Sequence, residues 1–333
     1  MIRPFRTYLR KSRVIYLIIL IVALGTTGCQ EKVITSGKCG IWGGNLTWQF
    51  SEDGVLTIKG NGPMNNYSWQ NFRSPPWIHK CNVINKVIIE NGVNTIGGNA
   101  FADCTVLTTV QIPESITEIS SGAFMNCRNL ESLIFPNMLN RIGSGVIQNC
   151  GSLFELTIPS SVSIIDEYAF INNSLSDIFV EDKNTHFSSV NGVLYNKLHD
   201  ILICCPTEKK EMEIPKTVAI IREYAFHHCT HLSSIEMPNS VTIIESGTFW
   251  GCSNLSSVII GSCVERIENY AFRDTYNLKS IICKSIIPPS IIIDAMPTFS
   301  NISKDITIYV PSGTLSAYQN SNWGKVFSNF IEE

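Results

Sequence analysis

Charge is scarce in this 333-residue chain: Asp, Glu, Lys and Arg make up 16% of it, against 44% hydrophobic residues. That balance excludes a disordered chain and permits a packed interior. Long apolar runs are missing too. The run from Val14 to Leu24 holds 11 residues, well short of the roughly 20 that an ordinary spanning helix needs. Catalytic motifs are absent: there is no GxSxG elbow, no P-loop, no HExxH, and no Cys/His pair outside the repeat positions described below. The chain therefore reads as non-enzymatic, with no catalytic residue and no cofactor.

Basic residues are few once the first segment is set aside. Arg3, Arg6, Arg10, Lys11 and Arg13 precede the apolar run, and Gly25-Thr26-Thr27-Gly28 follows it ahead of Cys29. This is the layout of a signal peptide over residues 1–28. Its removal leaves 20 basic against 28 acidic residues, a net of −8, which argues against nucleic acid or anionic lipid as a partner. A Cys directly after small residues resembles the lipobox of bacterial lipoproteins, although Thr26 stands where that family prefers Leu. The resemblance implies lipidation at Cys29, with secretion after nearby cleavage as the alternative. Several acyl chains on one residue would hold the protein stably where one would not.

What the chain does have is a phrase repeated every 23 residues. An aromatic or apolar anchor falls at Phe101, Phe124, Ile147, Phe170, Phe226, Phe249 and Phe272, with steps of 23, 23, 23, 56, 23 and 23. The same register carries Val93, Ile116, Leu139, Val162, Val218, Val241 and Val264. It also carries Ile96, Ile119, Ile142, Ile165, Ile221, Ile244 and Ile267. Fixed-period self-similarity signals a stacked array whose length counts coils rather than domains. The odd step is one insertion of 33 residues, about 181–213. Within it, Asn191 to Tyr195 and Ile201 to Pro206 are short apolar runs around Asn196 to Asp200, which predicts a hairpin.

Each repeat also holds an alternating stretch such as Thr109-Val110-Gln111-Ile112, usually closed by Pro (Pro113, Pro136, Pro159, Pro215, Pro238). Period 2 sends Val110 and Ile112 inward and Thr109 and Gln111 outward, and stacking then builds a parallel sheet. Of the twelve cysteines, Cys104, Cys127, Cys150, Cys229 and Cys252 share one repeat position and read as a column of small buried hydrophobes. Cys39 with Cys81, or Cys204 with Cys205, are freer to pair. His227-His228-Cys229-Thr230-His231 is the one run resembling metal ligands, but Cys229 belongs to the buried column, so no metal site is assigned.

Outside the array, residues 29–92 contain two alternating runs, Asn45 to Phe50 and Val55 to Gly60, around Asp53-Gly54. They read as a hairpin capping the first coil, with Trp69 and Trp77 following. The array occupies residues 93–283. Residues 284–333, with a strand at Asp305 to Val310 and an amphipathic tail, read as a closing cap.

Together, Leu-x-x-apolar-x-apolar-Pro, the apolar-x-x-Ile pair and Ala-Phe-x-x-Cys resemble the BspA-like, or Treponema-type, leucine-rich repeats of bacterial surface proteins, over about residues 37–333. The resemblance implies a β-rich leucine-rich repeat solenoid with a parallel sheet, one hairpin insertion and a cap at each end. It implies a lipid-anchored place in the bacterial cell envelope, expected at the outer membrane and facing outward. It also implies binding across the outward strand positions. Those positions concentrate acid at Glu155, Asp177, Glu211, Glu213 and Glu236, and turn Ile134, Phe179, Ile259 and Ile282 outward. Such residues occur on any surface. As a binding strip they would select a basic or mixed protein partner on a host or cell surface, giving adhesion. Two rivals stay open. A glycan-binding lipoprotein would use Trp42, Trp69, Trp77 and Trp250 as platforms, and a purely structural envelope protein would use neither set.

Overall fold

The computed structural model describes residues 32–68, 73–303 and 305–333. The expected leader over residues 1–28, Cys29 and Trp69 lie outside them. The array forms a β-solenoid of stacked coils, and two runs of parallel strands follow its length. The 23-residue period is written in the ladders: Lys86 faces Thr109, Thr95 faces Glu118, Glu118 faces Arg141, and Ser257 faces Ser280. Because register and period agree, identical rows stack on themselves. Phe101 and Phe124 lie ring on ring at 5.5 Å, as do Phe226, Phe249 and Phe272 at 4.9 and 5.2 Å. All are fully buried.

The cysteine column has a specific job. Cys127 donates its thiol to the Phe101 carbonyl at 3.1 Å, Cys150 to Phe124 at 3.2 Å and Cys252 to Phe226 at 3.0 Å. Each thiol thus ties one coil to the backbone of the coil before it. Where Asn173 and Thr275 stand instead, their side chains bond to the carbonyls of Phe170 and Phe272 in their own coil.

Cys104 departs from the expected row of free thiols: it forms a disulfide with Cys81, Cα to Cα 4.1 Å. Cys39, Cys204 and Cys205 are free, so neither of the pairings left open above occurs. Stacking explains the choice. Cys81 lies 23 residues before Cys104, in the same row one coil earlier, and adjacent coils place like positions within disulfide reach. The coil rhythm thus begins ahead of Val93, in a stretch where Arg73 occupies the place of the row's Ile.

At the N-terminal end the expected hairpin joins Gly43–Ser51 to Val55–Gly60, with Gly54 at φ 80° in the turn. A further strand, Val33–Gly40, pairs antiparallel outside it. Val55–Gly60 then pairs in parallel with Lys86–Ile89, so the cap continues the solenoid sheet rather than merely covering it. Trp77 is buried beneath this end. It stacks on Phe101 at 5.7 Å, meets Trp48 and Tyr67 edge-on, and donates Nε1–H to the Ala100 carbonyl at 2.8 Å.

The insertion is a three-stranded meander. Val193–Asn196 and Ile201–Cys204 pair as anticipated, and Phe187–Val190 adds a strand around the Asn191-Gly192 turn. Both turn residues have positive φ, 50° and 78°, the backbone of a type I′ hairpin. Ile201–Cys204 then serves as the preceding coil for Ile220–Ile221. The consequence is a seam: the buried core falls into two bodies that meet around Val193 and Leu194.

At the C-terminal end Thr307–Val310 and Asn329–Glu332 extend the parallel sheet by two strands. The tail between them forms two short helices, Leu315–Gln319 and Asn322–Val326. These bury Tyr318 and Trp323, whose OH and Nε1–H donate to Ser285 and Pro289 carbonyls at 2.8 Å each.

Candidate functional site

The outward strand positions form two straight columns, because parallel strands in register place equivalent side chains side by side. In the C-terminal half the first column runs Ser234, Ser257, Ser280, Thr307, Asn329. The second runs Glu236, Ile259, Ile282, Tyr309, Ile331. Across the middle, Glu155 faces Asp177 and Thr157 faces Phe179 on Glu155–Ile158 and Asp177–Val180.

The acidic residues do not all stand in this lattice. Glu155 and Glu236 are exposed on strands, and Asp177 is on a strand but half-buried. Glu211 and Glu213 are exposed, yet they lie in an irregular stretch between Cys204 and Ile220 rather than on the strand the repeat pattern gave them. The turn of the insertion lies beside Asp177–Val180 instead, where Ile178 N–H donates to the Gly192 carbonyl at 2.8 Å. Ion pairs also divide the set: Lys209 holds Asp177 and Lys284 holds Glu236, each at 2.7 Å. Gly192 allows the first pair to form. A Cβ there would sit 1.9 Å from Asp177 Oδ1, so the hairpin turn can close over the carboxylate only as glycine.

The apolar members separate in the same way. Ile134 is 63% exposed, just past Ser132, which makes a single bridge to Thr109. Phe179 is half-buried beside the insertion. Ile259 belongs to a longer apolar stripe with Ile282, Tyr309 and the 44%-exposed Ile331. The last two members fall outside the repeat. From Ile282 to Tyr309 is 27 residues and from Tyr309 to Ile331 is 22, so a fixed period of 23 misses both. The alternation in Thr307–Val310 was the available signal.

The proposed aromatic platforms are unequal. Trp77 is fully buried and cannot meet a ligand; the cap needs its ring as the first member of the Phe stack. Trp42 is 70% exposed at the first hairpin turn. Trp250 is half-buried, bonds through Nε1–H to Asp274 at 2.9 Å, and has the Arg273 guanidinium 4.4 Å over its ring. Nearby, His227 is buried and its imidazole pKa is lowered to about 3 by burial, with His228 adding to the effect. His231 pairs with Glu208 at 3.2 Å. Among the described residues no group of three or more His, Cys, Asp or Glu side chains is arranged to hold a metal ion.

The insertion seam opens a cleft of about 370 Å³ lined by Ser144, Ile165, Asp166, Glu167, Tyr168 and Arg222. The cleft is bridged by bonds within the chain. Tyr168 donates its OH to Glu223 at 2.6 Å, Arg222 pairs with Glu167 at 3.4 Å, and the Tyr168 and Tyr224 rings meet edge-on at 4.8 Å. Its polar groups are thus largely spent on holding the two core bodies together.

Solved structures of similar fold come from several bacteria. A leucine-rich repeat protein from Eubacterium ventriosum shares 22% identity with a TM-score of 0.65, covering 90% of this chain and 85% of its own. A leucine-rich cell surface protein from Faecalibacterium prausnitzii shares 23% at 0.58, covering 91% and 95%. The pneumococcal vaccine antigen PcpA shares 17% at 0.55, covering 91% and 99%. No curated protein matches the chain by sequence. The family model for the BspA-type leucine-rich repeat region matches six copies, over residues 78–191 and 204–321. With that match spanning most of the solenoid on both sides of the insertion, the chain belongs to the BspA-type leucine-rich repeat family.

Proposed function

We propose that this chain is a non-enzymatic recognition protein of a bacterial surface. It binds a protein partner across the outward columns of its parallel sheet and is held to the envelope by lipid on Cys29. The observation that carries the reading is the pair of in-register columns. They turn exposed acid outward on each of two sheets (Glu155, Glu236) and half-buried apolar side chains outward on the second (Ile259, Ile282). Rigid, pre-ordered side chains lose little entropy on binding, which favours a few anchor residues carrying the affinity. Adhesion to a host or cell-surface protein is the role this arrangement suits, and the acid selects a basic or mixed surface.

The test is a pull-down of extracellular proteins by the chain from residue 30, repeated with Glu155→Lys and Glu236→Lys together. Retained partners should weaken by at least tenfold and lose their salt dependence. Unchanged affinity for every captured partner would sink the reading. A glycan is the competing ligand, favoured by the 70% exposure of Trp42. Glycan binding abolished by Trp42→Ala and indifferent to the charge reversals would move the function to the N-terminal turn. The anchor is tested separately by mass spectrometry of the mature N-terminus, which should carry acyl chains that Cys29→Ala removes.

A further inference from the structure

The apolar stripe at the C-terminal end of the sheet has a geometry that constrains what lies on it. Ile259, Ile282, Tyr309 and Ile331 sit on four adjacent strands in register, so their side chains recur about every 4.8 Å across the sheet. A parallel column of Ser257, Ser280, Thr307 and Asn329 borders them two residues back along each strand. An α-helix laid along the stripe presents one apolar residue per turn, every 5.4 Å or so. Over three steps the mismatch is about 2 Å, within the reach of Leu or Met side chains. An extended strand in the same position repeats every 6.6–6.8 Å on one face and drifts by about 6 Å over the same distance. The period of the stripe therefore selects a helix with anchors at i, i+4, i+7 and i+11.

Charge marks both ends. Glu236 precedes Ile259 in the column, with Glu155, Glu211 and Glu213 exposed elsewhere in the acidic stretch, and the exposed Glu333 stands two residues past Ile331, whereas Glu332 accepts from the Gly313 and Leu315 amides. Lys284 and Glu236 pair at 2.7 Å, which leaves the exposed Glu211 and Glu213 as the acid toward the first end. Acid at each end of an apolar stripe complements a helix whose flanking turns carry Lys or Arg.

We propose that the stripe Ile259, Ile282, Tyr309 and Ile331 receives a basic amphipathic α-helix, of about three turns, from the protein partner. This rests on the reading of the sheet as a protein-binding surface and names the kind of segment it takes.

The probe is a helix-stabilised 14-residue peptide with Leu at i, i+4, i+7 and i+11 and Lys in both end turns, its binding followed by fluorescence anisotropy. A second peptide of the same composition alternates Leu and polar residues. The helical peptide should bind the wild type at least tenfold more tightly than the alternating one. It should lose at least tenfold in affinity with Ile282→Glu and Tyr309→Glu together, and keep its affinity with Ile134→Glu. All three side chains point outward, Ile134 exposed and Ile282 and Tyr309 half-buried, and circular dichroism of each variant checks that the fold persists. Preference for the alternating peptide, still lost in the Ile282→Glu, Tyr309→Glu variant, overturns the helix and leaves sheet recognition standing. Binding of neither peptide, with captured proteins still dependent on Glu155 and Glu236, does the same. Helical-peptide binding that ignores Ile282 and Tyr309 overturns the inference, and protein capture that ignores every face substitution overturns the wider reading too.

Discussion

Replacing Phe249 by Ala tests whether the ring stack holds the coils together. The side chain is fully buried and lies between Phe226 at 4.9 Å and Phe272 at 5.2 Å, interplanar angles 22° and 12°. Truncating a buried Phe to Ala costs about 3–5 kcal/mol, through lost transfer energy and the cavity left behind. Phe249→Leu keeps most of the apolar volume and removes the two ring pairs, each about 0.5–1.5 kcal/mol, so it should cost about 1–3 kcal/mol. Ile147 shows that the row accepts an aliphatic residue where its neighbours adjust, and Ile147→Leu should cost under about 1.5 kcal/mol. Urea unfolding by circular dichroism and tryptophan fluorescence reads these differences. Since a solenoid is stabilised coil by coil through its neighbours, and the core is already divided at the insertion, Phe249→Ala should melt the C-terminal body first. Fluorescence of Trp250 and Trp323 would then change at lower urea than that of Trp48 and Trp77. Equal costs for Ala and Leu, or a loss under about 1 kcal/mol for Ala, would refute the stacking argument.

Two other outcomes follow from buried titratable groups. His227, with its folded pKa lowered to about 3 by burial and then by His228, stays neutral in the fold while the unfolded chain takes up a proton below about pH 6.5. Its contribution is therefore intact above pH 6.5 and is lost as pH falls towards 3, at up to about 1.4 kcal/mol per pH unit; His227→Phe should flatten that part of a stability–pH profile. Burial pushes the Cys150 thiol up to about 12 and the Cys252 thiol higher still. Iodoacetamide at pH 8 should thus label exposed Cys263 in the native protein and reach Cys127, Cys150 and Cys252 only in urea, as peptide mass spectrometry would show; labelling of all four at one rate would contradict the buried column.

Much of this molecule was legible in its residues because a solenoid reuses one local solution. The Phe, Val and Ile rows at 23-residue spacing give the period, the interior and the parallel register together, since each coil packs only on its neighbours. The turn at Asp53-Gly54 and the strands around Asn196 to Asp200 were legible for a similar reason: short-range backbone preference sets them. Only the tertiary structure decided three other matters. Cys81 reaches Cys104 because the stacking continues at the same 23-residue step one coil ahead of Val93. Glu211 and Glu213 leave the strand lattice where the turn of the insertion takes the place beside Asp177–Val180. Tyr309 and Ile331 join Ile259 and Ile282 because the closing strands pair in register despite spacings of 27 and 22 residues. Period identifies the scaffold, since identical rows must stack on themselves. The apolar stripe is completed where the period fails, and there only the folded chain determines which side chains become neighbours.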